Sequence, residues 1–225
     1  MHKTSASLAL LLLLAAPLAA QTPVARITFT YEHPQLQPSR YTIAFDETGA
    51  GRYTSQPGPA SSNSYDGVLP TPLDRPILLD DSLRAQLFQY ARSHDFFATH
   101  CSTKLTTLAF TGNKTLSYSG ADGSGSCTYV WAGDPALQRL TDQLGAVAFT
   151  IEEGRRLGLE LLHDHLGLDA ELDALQGAVK DHRADDLGNI ADQLRAIVDN
   201  QQIMDRARKR AESLLAQSDT AQNHN

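Results

Sequence analysis

The sequence predicts an α+β fold: an antiparallel meander sheet from two strand-strand-strand-helix modules, followed by an all-helical C-terminal region. Three observations predict it. Apolar and polar residues alternate from Arg26 to Thr54 and again from Leu108 to Trp131, the period of half-buried strands. Each alternating tract leads to a stretch of helical spacing behind an acidic cap, at Asp80 and at Asp134. From Pro135 to Gln217 the apolar residues fall three and four apart, with almost no strand signal.

Taken in order, the chain opens with basic His2 and Lys3, an apolar run from Leu8 to Ala16 and a small-residue exit at Pro17-Leu18-Ala19-Ala20. This is the pattern of a secretory signal peptide, residues 1–20, cleaved after Ala20. The run is shorter than the roughly 20 apolar residues a spanning helix needs, so no transmembrane segment is expected after cleavage. In the region 21–134, Ile27, Phe29 and Tyr31 make a first strand and Tyr41, Ile43 and Phe45 a second. A turn at Glu47-Thr48-Gly49-Ala50-Gly51 leads to a third strand near Arg52-Tyr53-Thr54, completing a meander. A long Pro/Ser loop, 56–72, follows as a surface connection. Leu83, Leu87, Phe88 and Ala91 then form the buried stripe of a helix capped by Asp80, Asp81 or Ser82.

The second module is predicted as strands at Leu108 and Phe110, at Leu116 and Tyr118, and at Cys127, Tyr129 and Trp131, the last with its indole in the core. The turns fall at Gly112-Asn113 and over Gly120 to Gly125. The two modules echo one another. An internal duplication and shared turn chemistry both account for the echo.

The helical region, 135–217, opens with Asp134 as cap and Pro135 in the first turn. Its first stripe is Leu137, Leu140, Leu144, Val147 and Ile151. Gly154 and Gly158 interrupt it, so the helix bends there or another backbone packs close. Further stripes follow at Leu168 to Val179, Leu187 to Ile197 and Ile203 to Leu214. Arg206, Arg208, Lys209 and Arg210 are expected late in the last helix, as a solvated face that suits the dipole. A disordered tail is expected over 218–225.

Composition narrows function. There are 19 basic and 26 acidic residues, a net charge of −7; signal cleavage removes only Lys3, leaving 18 against 26, or −8. Such a chain repels phosphate backbones, so no nucleic acid is expected among its partners. The two cysteines, Cys101 and Cys127, are expected to form a disulfide in an oxidising compartment, where closing the loop stabilises the fold by roughly 3 kcal/mol. The competing reading, a nucleophilic Cys101 served by His100 or His94, lacks any local signature of a thiol enzyme.

Other chemistry-bearing residues are sparse. Glu160 and His163 share the i, i+3 spacing of carboxylate-bridged metal bundles, and His165 lies nearby, but a second Glu-x-x-His is missing from the sequence. These three are the candidate metal ligands, beside Asp164. His94 and Asp95 precede Phe96 and Phe97 at a helix exit; sequence neighbours do not make an acid–base pair without facing geometry. Nucleophile elbow, phosphate loop and zinc-protease helix are all missing, and no cofactor is expected. The Asp122 loop holds too few acidic oxygens for calcium, and Asn113-Lys114-Thr115 is a formal glycosylation sequon.

With the signal, the hairpin Phe45-Asp46-Glu47-Thr48-Gly49-Ala50-Gly51 and the pair Cys101 and Cys127 in place, the chain resembles uncharacterised secreted proteins of soil bacteria. The resemblance covers the α+β part and implies neither activity nor site. The expectation is a secreted or periplasmic, non-catalytic binding or interaction module whose partner is an envelope or extracellular protein. Two alternatives stand beside it. One is an envelope hydrolase assembled from His94, Asp95, His100, His163 and His165; the other is a metal-binding accessory protein centred on Glu160, His163 and His165.

Overall fold

Period-two patterning becomes one six-stranded antiparallel sheet in the computed structural model, which describes residues 24–59, 71–104 and 107–223. The predicted signal peptide and residues 60–70 of the predicted loop lie outside the described residues. The meander is β1 (Arg26–Glu32), β2 (Arg40–Asp46) and β3 (Ala50–Gln56). β4 (Leu73–Leu78) extends it past β3. On the other side β5 (Asn113–Gly120) pairs with β1, and β6 (Gly123–Tyr129) with β5, for the order β4-β3-β2-β1-β5-β6.

The second module differs from expectation. Leu108 and Phe110 form no strand; they are 43% and 53% exposed in an irregular segment. Side chains satisfy the backbone there, since the Tyr31 hydroxyl donates to the Thr111 carbonyl at 2.9 Å and the Trp131 indole to the Ala109 carbonyl at 2.9 Å. Trp131 is therefore half-buried beyond the end of β6, not a core residue. The sixth strand is β4, whose Pro76 masks it in sequence; an edge strand tolerates a residue with no N–H to give.

Each sheet margin meets something other than a strand at one end. At β4 the Asn189 side chain accepts from the Leu78 N–H at 3.0 Å and donates to the Leu78 carbonyl at 3.1 Å. At β6 the segment 101–103 runs antiparallel to residues 131–133, through Thr103 N–H to Trp131 O (2.9 Å) and Gly133 N–H to Cys101 O (2.7 Å). The Cys101–Cys127 disulfide ties that segment to β6, with Cα atoms 5.9 Å apart.

One sheet face carries hydroxyls, including the cross-strand pairs Thr30–Thr42, Thr115–Thr128 and Ser117–Ser126. The other face carries the core. Strand register sorts that inner face into rows. Tyr53, Ile43, Phe29, Leu116 and Cys127 form one row; Ser55, Tyr41, Tyr31, Lys114 and Tyr129 form the next, at the sheet's end.

Two helices cover this face. α1 (Asp81–Ser93) is capped by the Asp80 carboxylate, which accepts the Ser82 and Leu83 N–H groups, and buries the predicted Leu83, Leu87, Phe88 and Ala91. After it, Asp95–Phe97 make a left-handed 3-10 turn, with φ between 51° and 67°, that buries Phe97. α2 (Pro135–His163) starts at the predicted Asp134 cap. Its stripe from Leu137 to Ile151 completes the sheet core, and its later turns enter a second core with α3 (Leu168–Lys180), α4 (Ala191–Asp199) and α5 (Asp205–Asn223). The helix continues through both glycines. At Gly154 a Cβ would sit 2.2 Å from Ile190 Cγ2, so close packing accounts for that residue, though by the Ile190 side chain and not by the backbone approach expected; at Gly158 nothing lies within 4 Å.

Two expectations about α5 are corrected. The cationic run lies in its first turns, where the dipole disfavours cations, and carboxylates offset this: Asp169 meets Arg206 at 2.5 Å and Arg210 at 3.1 Å, and Asp205 meets Lys209 at 2.8 Å. The helix also continues to Asn223, through most of the stretch predicted as a disordered tail.

Candidate functional site

The polar row at the sheet's end is where α2 fails to close against the sheet. Across from Tyr41 the helix presents Gly145, whose added Cβ would still stand 3.8 Å from the Tyr41 hydroxyl. The result is a cleft of about 560 Å³, within the usual range for small-molecule sites, bordered by Tyr31, Tyr41, Lys114, Gly145, Phe149 and Glu152.

Three tyrosines form its aromatic wall. Tyr31 stacks on Tyr41 with centroids 5.1 Å apart, and Tyr41 on Tyr53 at 5.9 Å. Burial holds the Tyr41 and Tyr53 phenols neutral, well above the ordinary range, and the Glu152 carboxylate beside Tyr53 adds to the effect there. Glu152 is firmly held. One oxygen accepts the Tyr53 hydroxyl (2.8 Å) and the Ser55 hydroxyl (2.6 Å), and the other accepts Arg155 Nε at 2.8 Å.

Lys114 is the unusual member, 8% exposed. Its ammonium donates to the Val130 carbonyl at 2.8 Å and more weakly to Thr111 Oγ1 at 3.4 Å, and lies over the Tyr31 and Trp131 rings. Burial lowers its pKa, and the Asp142 charge only partly offsets that. Glu153, also buried, has its pKa raised, first by burial, with Arg156 at 3.4 Å acting the other way. Beside Lys114 in the row, the Tyr129 hydroxyl is buried and has no hydrogen-bond partner among the described residues. It faces Thr141, whose own hydroxyl is committed to the Leu137 and Gln138 carbonyls. A site built from buried, internally held polar groups is preorganised, and such groups orient a ligand at little cost in entropy. A larger groove of about 820 Å³ between α1, α2 and the turn after α3 is lined by exposed Gln86, Gln89 and Arg139, and its exposed His182 borders both openings.

The residues singled out by sequence lie elsewhere. Cys101 and Cys127 are bonded, so the nucleophilic-thiol reading falls. His94 stacks on Tyr90 at the surface, with Nε2 3.9 Å from Asp134 Oδ2, and Ser93 Oγ lies 2.9 Å from its Nδ1. That contact does not activate the serine, whose hydroxyl is placed to donate to the Gln89 and Tyr90 carbonyls. Asp95 and His100 are exposed and do not join it. His163 is exposed at the end of α2, and His165 Nε2 lies 2.9 Å from the Leu161 carbonyl. Glu160 packs beside Gly167, and no group of three metal-ligating side chains forms among the described residues.

Sequence reasoning missed Lys114, Gly145 and Glu152. One signal was present: Lys114 has the same parity as Leu116 and Tyr118, which places a lysine on the apolar face of its strand. Compared with known proteins, the chain matches no family model and no curated sequence.

Proposed function

We propose that this chain is an exported, non-catalytic binding protein whose ligand site is the cleft between α2 and the Tyr31–Tyr41–Tyr53 wall. One observation carries the reading: the stacked tyrosines and buried Lys114 wall a cleft, and the mid-helix glycine facing that row, Gly145, could carry a methyl group that would meet the Tyr41 hydroxyl at an ordinary contact distance of 3.8 Å. Glycine inside a helix is less favourable than alanine by about 1 kcal/mol, so Gly145 leaves room at the cleft at a cost in helix stability. Export is supported by the signal pattern and the disulfide, and no helix among the described residues is long and apolar enough to cross a membrane. Sequencing the N-terminus of protein recovered from the cell envelope or medium tests it; an intact Met1 there removes cleavage from the account.

The cleft is tested with a fluorescent aromatic probe, anilinonaphthalene sulfonate, added to the native protein. Saturable emission from one site is expected, and Gly145→Leu, which projects into the cleft, abolishes it with an unchanged far-ultraviolet circular dichroism spectrum. Emission that survives in the variant, or is absent from the parent, rules this cleft out.

A further inference from the structure

We infer that the ligand of this cleft is a small aromatic monoanion, a flat ring bearing a carboxylate, with the carboxylate taken by Lys114 and the ring laid against Tyr31 and Tyr41. The inference rests on the binding reading above and names the ligand class. An ammonium group has three N–H donors. In Lys114 one goes to Val130 O at 2.8 Å and one makes the long contact to Thr111 Oγ1, which leaves a donor for the cleft that Lys114 borders. Among the described residues no carboxylate forms an ion pair with it, and Asp142 acts on it only through space. A cation this buried has no paired counter-ion among the described residues, and a bound carboxylate supplies one.

The acids of the cleft do not already play that part. Glu152 is neutralised by Arg155 at 2.8 Å and by two hydroxyls, and Glu153 faces Arg156 at 3.4 Å. Asp142 is exposed, at the mouth, with the Gln138 amide at 2.8 Å as its partner. The rim carries both signs, with Asp142 beside exposed His182 and Arg183, and Lys114 is the buried cation of the cleft. Exposed Leu36 and half-buried Phe149 add apolar surface beside the tyrosines, which suits a ring better than a sugar or a polyphosphate.

The test compares naphthoate with neutral naphthamide by isothermal titration on the full mature chain, in the parent, Lys114→Met and Gly145→Leu. The parent is expected to bind naphthoate at one site at least about tenfold more tightly than naphthamide, the scale of one charge-assisted hydrogen bond. Lys114→Met should erase that preference, Gly145→Leu should remove both ligands, and Lys114→Gln replaces the methionine variant if it does not fold. Equal binding of the two ligands by the parent, both lost in Gly145→Leu, overturns the anionic class and leaves the cleft standing. A preference that persists without Lys114 also overturns it, and binding of neither ligand by the parent overturns the class together with the cleft.

Discussion

The two halves of α2 use the same residue in opposite ways. In the half that lies among the C-terminal helices, Gly154 is pressed against Ile190 so closely that no side chain fits. In the half that lies over the sheet, Gly145 faces the Tyr41 hydroxyl with room for a methyl group. The first glycine lets two elements approach; the second leaves a gap between them. Close packing is the ordinary condition of a protein interior, so the departure from it marks where the molecule has something else to accommodate.

The largest test of this contrast removes the helix. Truncation after Asp134 uncovers the sheet core that Leu137 to Ile151 complete, and the fragment is expected to be insoluble; a soluble, cooperatively melting fragment would make the sheet independent of α2. Next comes the covalent tie. Cys127→Ser should destabilise the protein by about 3 kcal/mol in non-reducing denaturant titration, with hydrogen exchange rising in β5 and β6 before it rises in α4 and α5. Equal acceleration everywhere would mean that the halves open as one unit.

The glycines themselves separate the accounts directly. Gly154→Ala forces the added methyl onto Ile190 and should cost about 1–3 kcal/mol in thermal or denaturant unfolding. At the junction of the halves, Asp186 accepts the Asp80 N–H at 3.1 Å, and burial, with Asp185 and Asp80 nearby, raises its pKa from 3.8 to about 7. A raised acid binds its proton more tightly folded than unfolded, so its contribution is complete below about pH 4 and is lost as pH rises through about 7. Asp186→Asn should flatten that decline, measured as the difference between parent and variant melting temperatures from pH 4 to 8; parallel curves would remove Asp186 from the junction. The smallest effect has the opposite sign. Gly145→Ala should stabilise the fold by about 0.5–1 kcal/mol through helix propensity, and destabilisation would show that the space beside Tyr41 is not free.

Much of this architecture was legible because it rests on periodicity. The strands through Ile27, Tyr41 and Tyr53, the caps Asp80 and Asp134, the stripe of α2 and the disulfide all follow from local patterns. Elements whose identity is settled by neighbours were hidden. β4 carries Pro76 and is a strand only because it occupies an edge, while Leu108 and Phe110 alternate well but find no ladder. The cleft was hidden for the same reason. Tyr31, Tyr41, Lys114 and Gly145 come from three strands and a helix, and only register places them together; the histidines that caught the eye remain scattered at the surface.

The contacts at the ends of the two edge strands carry a consequence for how molecules of this protein treat one another. An unguarded strand edge is a template onto which another chain can add. At β4 the guard is one asparagine amide, fixed as long as the fold is intact. Beyond the far end of β6 the guard is a short segment tethered by sulfur, which reduction would leave held by two backbone hydrogen bonds and the Ser102–Ala132 bridge. The disulfide therefore governs colloidal behaviour as well as melting, and reduced protein should self-associate by strand addition at concentrations where oxidised protein stays dispersed.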